Sequence, residues 1–279
     1  MKKIGILHPG EMGVSLAASA LNSGHAVYWV STNRGAQTRL RAEKHKLIEL
    51  KSLAELCRTC EVIISICPPH ASEEVARSVV IEKFKGIYLD ANAISPQRVK
   101  RLQRLMEENG IRFIDGSIIG GPAWKAGETF LYLSGKDAEA IRDCFQSGPL
   151  ETKIIGDEAG KASALKMCYA AYSKGTTALL AAVLATAEAY NVGEELYRQW
   201  DMDDPGFSEQ VKRRVMRTSA KAWRFAGEME EIAATFDEVG LPGGFHQAAA
   251  DVFRRMANLE VDERDQLMKI LAAILRMTS

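Results

Sequence analysis

The chain has 279 residues, with 36 basic and 36 acidic side chains and a formal net charge of zero. That balance gives no basis for wholesale binding to nucleic acid or to a membrane surface. An apolar fraction of 47% supports a sizeable core, and the length suits two domains of ordinary size. The five cysteines are Cys57, Cys60, Cys67, Cys144 and Cys168, an odd set with no secretory signal ahead of them. They point to reduced thiols and a cytoplasmic location. Cys57 and Cys60 form one C-x-x-C with no second pair, so they read as small core residues. The five histidines are scattered without ligand spacing, and no metal site is expected.

In chain order, residues 4–7 form a short apolar strand that breaks at His8-Pro9-Gly10 and opens an apolar helix over 14–21. A second strand covers 26–30 and ends in the turn Ser31-Thr32-Asn33-Arg34-Gly35. The charged stretch 39–55 reads as one helix. Then come a buried strand at 62–66, stopped by Cys67-Pro68-Pro69, a helix at 71–80, a strand at 87–90 and an amphipathic helix at 97–109. A short strand at Phe113-Ile114 leads into Asp115-Gly116-Ser117-Ile118-Ile119-Gly120-Gly121-Pro122. Strands at 129–134 and 153–155 flank a short helix at 137–144. Strand–helix alternation predicts a doubly wound, mostly parallel α/β sheet over 1–158. From Gly160 every segment has helical period: a long apolar helix at about 160–190, then 194–199, 209–225, 228–239, 245–259 and 263–277. The second domain, 159–279, is therefore expected to be all-helical. The run 175–187 is too short to cross a bilayer and reads as a buried helix.

The strand–turn–helix at His8-Pro9-Gly10-Glu11-Met12-Gly13 has the layout of a dinucleotide-binding βαβ unit. Backbone N–H groups at the helix start can hold a pyrophosphate, and the helix dipole favours its charge. The first glycine of G-x-G-x-x-G is replaced by His8. At the end of the second strand, where a carboxylate would bind a ribose diol, stand Ser31, Thr32, Asn33 and Arg34, and no acid appears before Glu43. Hydroxyls, an amide and a guanidinium suit a 2′-phosphate, so NADP(H) is expected over NAD(H).

Four separated motifs resemble the β-hydroxyacid dehydrogenase superfamily, which includes 3-hydroxyisobutyrate dehydrogenase, 6-phosphogluconate dehydrogenase and the imine reductases. The family's G-x-G-x-M-G is matched by residues 8–13 except at His8. Its D-x-S-T-x-S-P resembles Asp90-Ala91-Asn92-Ala93-Ile94-Ser95-Pro96, and its D-x-P-V-S-G-G resembles Asp115-Gly116-Ser117-Ile118-Ile119-Gly120-Gly121, with Ile119 in place of a substrate-contacting Ser. A glycine-rich helix start leading to a catalytic lysine is matched by Gly160 to Lys166, and the family's Asn four residues later is Ala170. The resemblance weakens in the C-terminal helices, which are similar to a subgroup with a short phosphogluconate-dehydrogenase-like domain.

The resemblance implies a hydride transfer with Lys166 as general acid in reduction and general base in oxidation. Lysine serves both directions once burial or a neighbouring cation brings its pKa toward neutrality. It also puts Cys67, Pro68, Pro69 and Asn92 beside the cofactor. Ile119, Gly120, Gly121, Tyr169, Lys174 and Trp223 fall on the substrate side, with Tyr169 or Lys174 replacing the missing Asn. Retained Lys166 favours a C=O over a C=N substrate. An imine reductase on the same fold and a non-catalytic NADP(H)-binding sensor are the alternatives. Arg213, Arg217, Lys221 and Arg224 read as one helical face, either an anion-binding stripe or a solvated surface. His246 stands at a helix start. Family precedent implies a homodimer acting on a small acid.

Overall fold

Short apolar runs rich in Ile, Val and Leu build one eight-stranded sheet, ordered Ile48–Leu50, Ala26–Val30, Lys3–Ile6, Val62–Ser65, Ile87–Asp90, Arg112–Ile119, Thr129–Ser134 and Leu150–Ile154 across it. The computed structural model describes residues 1–257, 259 and 266–276. The strands are β1 (Lys3–Ile6), β2 (Ala26–Val30), β3 (Ile48–Leu50), β4 (Val62–Ser65), β5 (Ile87–Asp90), β6 (Arg112–Ile119), β7 (Thr129–Ser134) and β8 (Leu150–Ile154). All pairings are parallel except β6 with β7. Helices α1 (Glu11–Asn22), α2 (Ala36–Lys44), α3 (Leu53–Thr59), α4 (Ser72–Ile81), α5 (Pro96–Glu108) and α6 (Ala138–Arg142) connect them. Ile4, Ile6, Val27, Val62 and Ile64 join one core cluster, while Ile63, Tyr88 and Phe113 join a second with Val99, Leu102 and Met106 of α5. Burial on both faces explains why these strands read as continuous apolar runs rather than alternating ones.

The chain divides into two compact units, Met1–Lys166 and Met167–Ser279. The remaining elements are α7 (Lys161–Ala170), a π turn (Ala171–Gly175), α8 (Thr176–Ala189), α9 (Gly193–Asp203), α10 (Phe207–Ser219), α11 (Ala222–Glu238), α12 (Gly244–Met256) and α13 (Gln266–Leu275). The mostly parallel sheet followed by an all-helical region is the expected fold class.

Several expected elements are corrected. The single helix at 39–55 is α2, the strand β3 and α3. Lys46 takes a left-handed φ of 56° that ends the first helix, and Ser52 caps the next by accepting from the Glu55 amide at 3.1 Å. The strand expected at Phe113-Ile114 runs on through Ile119, so the glycine-containing motif lies largely inside β6. The long helix is interrupted by the π turn. There the Ser173 carbonyl accepts from Thr177 Oγ1 at 2.8 Å and from Arg214 Nη2, which supply side-chain donors where helical register is lost. The helix expected at 209–225 ends at Ser219. Buried positions 208, 211, 215 and 219 of α10 continue in register into 222, 226, 229 and 233 of α11, so apolar period alone hides the junction. The helices expected at 245–259 and 263–277 are α12 and α13. Residues 258, 260–265 and 277–279 lie outside the described residues.

Candidate functional site

Strand order reverses at β1, which has β2 on one side and β4 on the other. In open α/β sheets ligands bind beyond the carboxyl ends of strands at such a point. His8, Pro9 and Gly10 occupy the end of β1 and Cys67, Pro68 and Pro69 the end of β4. Gly10 is the N-cap of α1 and supplies no side-chain cap. A Cβ there would meet nothing within 4 Å, so open space lies over the uncapped helix end. At Gly13 a Cβ would stand 2.2 Å from the His8 carbonyl oxygen. Only glycine lets the first turn of α1 rest on the strand end. Both features fit a pyrophosphate against the helix N-terminus. Glu11 is exposed and Met12 partly buried at that first turn.

His8 is half-buried, and its Nδ1 has no hydrogen-bond partner. Burial, aided by the Arg34 cation, pushes its pKa down to about 4. Arg34, in the loop after β2, turns back to donate from Nη2 to the Leu7 carbonyl at 3.1 Å, while its buried Nε lacks a partner. Burial also lowers the pKa of its guanidinium. Arg39 donates to the carbonyls of Ser31 at 2.8 Å and Arg34 at 3.2 Å. Ser31 is buried, Thr32 donates to the Lys51 carbonyl at 2.6 Å, and exposed Asn33 has φ 59°.

Beyond β4 and β5, Asn92 is 2% exposed and its amide is committed on both sides. Oδ1 accepts from the Cys67 amide at 2.6 Å, and Nδ2 donates to Asp90 at 2.8 Å and Ser65 Oγ at 3.2 Å. Asn92 therefore holds the Cys67-Pro68 loop in place. Burial pushes the Cys67 thiol up to about 12, which keeps it neutral. Pro69 is tied to α5 through its carbonyl, which accepts from Arg98 at 2.8 Å.

The third group surrounds β6. Asp115 is fully buried and accepts from Ser134 Oγ at 2.9 Å, the Gly160 amide at 2.9 Å, the Ser163 amide at 3.1 Å and Ser163 Oγ at 2.7 Å. This carboxylate ties the start of α7 to the sheet. Lys166, one turn further along α7, donates from Nζ to the Ile118 carbonyl at 2.7 Å. The ammonium thus lies beside Ile119, Gly120 and Gly121. Gly120 has φ 121°, and a Cβ on it would stand 2.2 Å from the Glu128 carbonyl oxygen. Thr129 Oγ1 closes the same turn on the Gly121 carbonyl at 2.8 Å.

Residues 3–147 match the NAD binding domain of 6-phosphogluconate dehydrogenase, and residues 187–256 match a domain of unknown function (DUF1932). The chain belongs to the 6-phosphogluconate dehydrogenase NAD-binding family. Mitochondrial 3-hydroxyisobutyrate dehydrogenase of Drosophila melanogaster is 29% identical over 51% of this chain, an alignment that spans 46% of the fly enzyme. A solved conserved protein, described as structurally similar to 3-hydroxyacid dehydrogenases, is 27% identical. It has a TM-score of 0.67 and the match covers 91% of this chain and 97% of that one. The Mycobacterium tuberculosis 3-hydroxyisobutyrate dehydrogenase, solved with L-serine, has a TM-score of 0.71 at 17% identity, with 98% of each chain covered, and so shares the fold.

Within the second unit of this family member, Lys174 forms an ion pair with Glu228 and lies 4.6 Å over the Phe225 ring. Glu228 is 5% exposed, so Lys174 is engaged by a buried carboxylate, which was not foreseen for a residue standing in for the missing Asn. Tyr169 and Trp223 are exposed, at 50% and 57%. The expected basic face at 213–224 does not exist as one helix, because Lys221 is the N-cap of α11. His246 packs against Phe236 at 4.4 Å and Phe245 at 5.2 Å between ring centroids, and burial lowers its pKa. Cys57 and Cys60 are buried, and burial pushes both thiols up to about 12. No helix among the described residues is long and apolar enough to cross a membrane. The site residues missed in the sequence are Arg39, Asp115 as an anchor, and Ser163. Arg39 was hidden as one more charge in a charged helix, whereas Asp115 and Ser163 were visible as motif members with no assigned contact.

Proposed function

We propose that the protein is an NADP(H)-dependent oxidoreductase that moves a hydride between nicotinamide and the hydroxyl or carbonyl carbon of a small acidic substrate. The observation that carries this reading is the Lys166 ammonium, fixed 2.7 Å from the Ile118 carbonyl beside the Ile119-Gly120-Gly121 turn. Gly10, Gly13 and the α1 N-terminus would hold the pyrophosphate, with Arg34 toward the adenosine end. The bound dinucleotide supplies or accepts the hydride. During reduction, negative charge builds on the substrate oxygen, and Lys166 gives it a proton. In oxidation Lys166 takes that proton back. A neutral amine still has N–H groups to donate to Ile118, so one anchor serves both protonation states.

Two measurements test this reading. Protein fluorescence titrated with NADPH and NADH is expected to show NADPH binding about tenfold or more tightly, the scale of one charge-assisted phosphate contact. Equal or preferred NADH binding would remove the cofactor assignment. NADPH oxidation would then be followed over keto acids, semialdehydes and cyclic imines. Turnover confined to imines would favour the imine reductase alternative, and no turnover the sensor.

We also propose a homodimer formed through an apolar groove on α8 and α9, lined by Ala182, Val183, Ala187, Tyr190 and Leu196. Exposed Tyr190 and Val192 at its edge suit burial against a second copy. Sedimentation equilibrium is expected to give a dimer and the Val183→Glu variant a monomer. A monomeric wild type would refute the groove's role.

A further inference from the structure

Two polar atoms near the ends of β1 and β2 are buried without partners: His8 Nδ1 and Arg34 Nε. A buried donor or acceptor left unpaired is costly, because it has given up water without a replacement. They lie close together. Arg34 reaches the carbonyl of Leu7, the residue before His8, and its charge acts on the His8 ring. The Ile6–Trp29 register pair puts the ends of the two strands level with one another.

We propose, building on the NADP(H) reading above, that His8 and Arg34 form one phosphate-reading pair, with the His8 ring donating to the adenosine 2′-phosphate beside the Arg34 fork. Three observations favour an anion over any other occupant. Burial and the Arg34 cation act on His8, and burial and the Cys67 thiol act on Arg34, with no carboxylate among the described residues taking part. The neighbouring Cys67 thiol is held neutral by burial. Arg39 is already turned to the Ser31 and Arg34 carbonyls, so it frames the loop and leaves recognition to the pair. Glycine at position 8 would provide no side-chain donor. His8 therefore converts a position that ordinarily gives only room into one that recognises charge. A phosphate offers both donors charge-assisted hydrogen bonds through separate anionic oxygens, whereas a neutral ribose hydroxyl offers neither the charge nor its compensation of the Arg34 cation.

The test uses 2′,5′-ADP and 5′-AMP as probes, with calorimetric titration of the full chain. His8→Gly is expected to weaken 2′,5′-ADP about tenfold or more, the loss of one charge-assisted hydrogen bond, while 5′-AMP stays within about threefold. His8→Asn, which keeps an N–H donor near the Nδ1 position, is expected to recover most of that loss. In the His8→Gly/Arg34→Gln double variant the two losses are expected to be less than additive, because both donors act on one group. An unchanged or tighter 2′,5′-ADP complex in His8→Gly overturns the proposal while leaving the cofactor assignment intact. Equal weakening of both probes overturns it as well, by showing a general role in the turn. A wild-type chain that binds neither 2′,5′-ADP nor NADPH overturns both the pair and the NADP(H) reading.

Discussion

Lys166→Ala is expected to lower kcat about 10²–10⁴-fold, the range for removal of a general acid or base. NADPH affinity should stay within about threefold, because the Gly10 turn and Arg34 lie on other elements. The expectation follows from position. The ammonium is bound to Ile118 at the end of β6, and an alanine there leaves neither a proton donor nor a group in that place. Lys166→Arg is the informative companion. It retains the charge and length, but a guanidinium does not give up a proton at neutral pH. If charge alone mattered, Arg would rescue; if proton transfer matters, Arg stays near the alanine level. Steady-state kcat and KM on whichever substrate the panel identifies, with NADPH titrations of each variant, separate these outcomes. A kcat within a few-fold of wild type in Lys166→Ala would sink the assigned role and turn attention to the sensor alternative.

Local chemistry explains which features were legible in the sequence. The central strands β1, β2, β4 and β5 were visible because burial on both faces demands unbroken apolar runs. The Gly13 position was visible because a close helix–strand approach tolerates no side chain. β3 was not. It has only three residues at the sheet edge, and Ile48-Glu49-Leu50 sits between two charged helices whose composition dominates any window. The α10–α11 junction escaped for a different reason, since its buried positions keep helical spacing across the break. Side-chain commitments are a third class. Nothing in the sequence says that the Asn92 amide is spent on Asp90, Ser65 and Cys67, or that Lys174 finds Glu228 fifty-four residues away. Such pairings depend on tertiary placement. The same holds for His8 and Arg34, which are 26 residues apart and come near one another, through the Arg34 contact to the Leu7 carbonyl, because β1 and β2 are neighbours in register.

Asp115→Ala is expected to destabilise the first unit by about 3–5 kcal/mol, the order expected when several buried donors lose a shared acceptor at about 1–3 kcal/mol each. In thermal melts that is a fall of roughly 10 °C or more for a unit of this size. Four donors would lose their acceptor: Ser134 Oγ, the Gly160 amide, and both the amide and hydroxyl of Ser163. Asp115→Asn keeps the shape and one acceptor oxygen, but its NH₂ faces donors, so an intermediate loss is expected. The sign of the pH dependence gives a second readout. Asp115 is paired in register with Asp90, whose carboxyl is pushed up to about 7, first by burial and then by the Asp115 charge. A carboxyl raised in the folded state contributes its stability below its unfolded pKa of about 3.9 and loses it as pH rises through about 7. With the Asp115 carboxyl gone, that alkaline loss shrinks, and the loss from Asp115 itself, whose pKa burial also raises, goes with it. The stability gap between wild type and Asp115→Asn should therefore be widest near pH 5 and narrow toward pH 8. A gap that widens with pH would refute the carboxylate coupling. Because Ser163 lies one turn before Lys166, Asp115→Asn should also lower kcat about tenfold while NADPH affinity holds, a loss Lys166 would feel through the position of α7. Unchanged kcat in a measurably destabilised Asp115→Asn would confine the carboxylate to folding and separate it from the chemistry at Lys166.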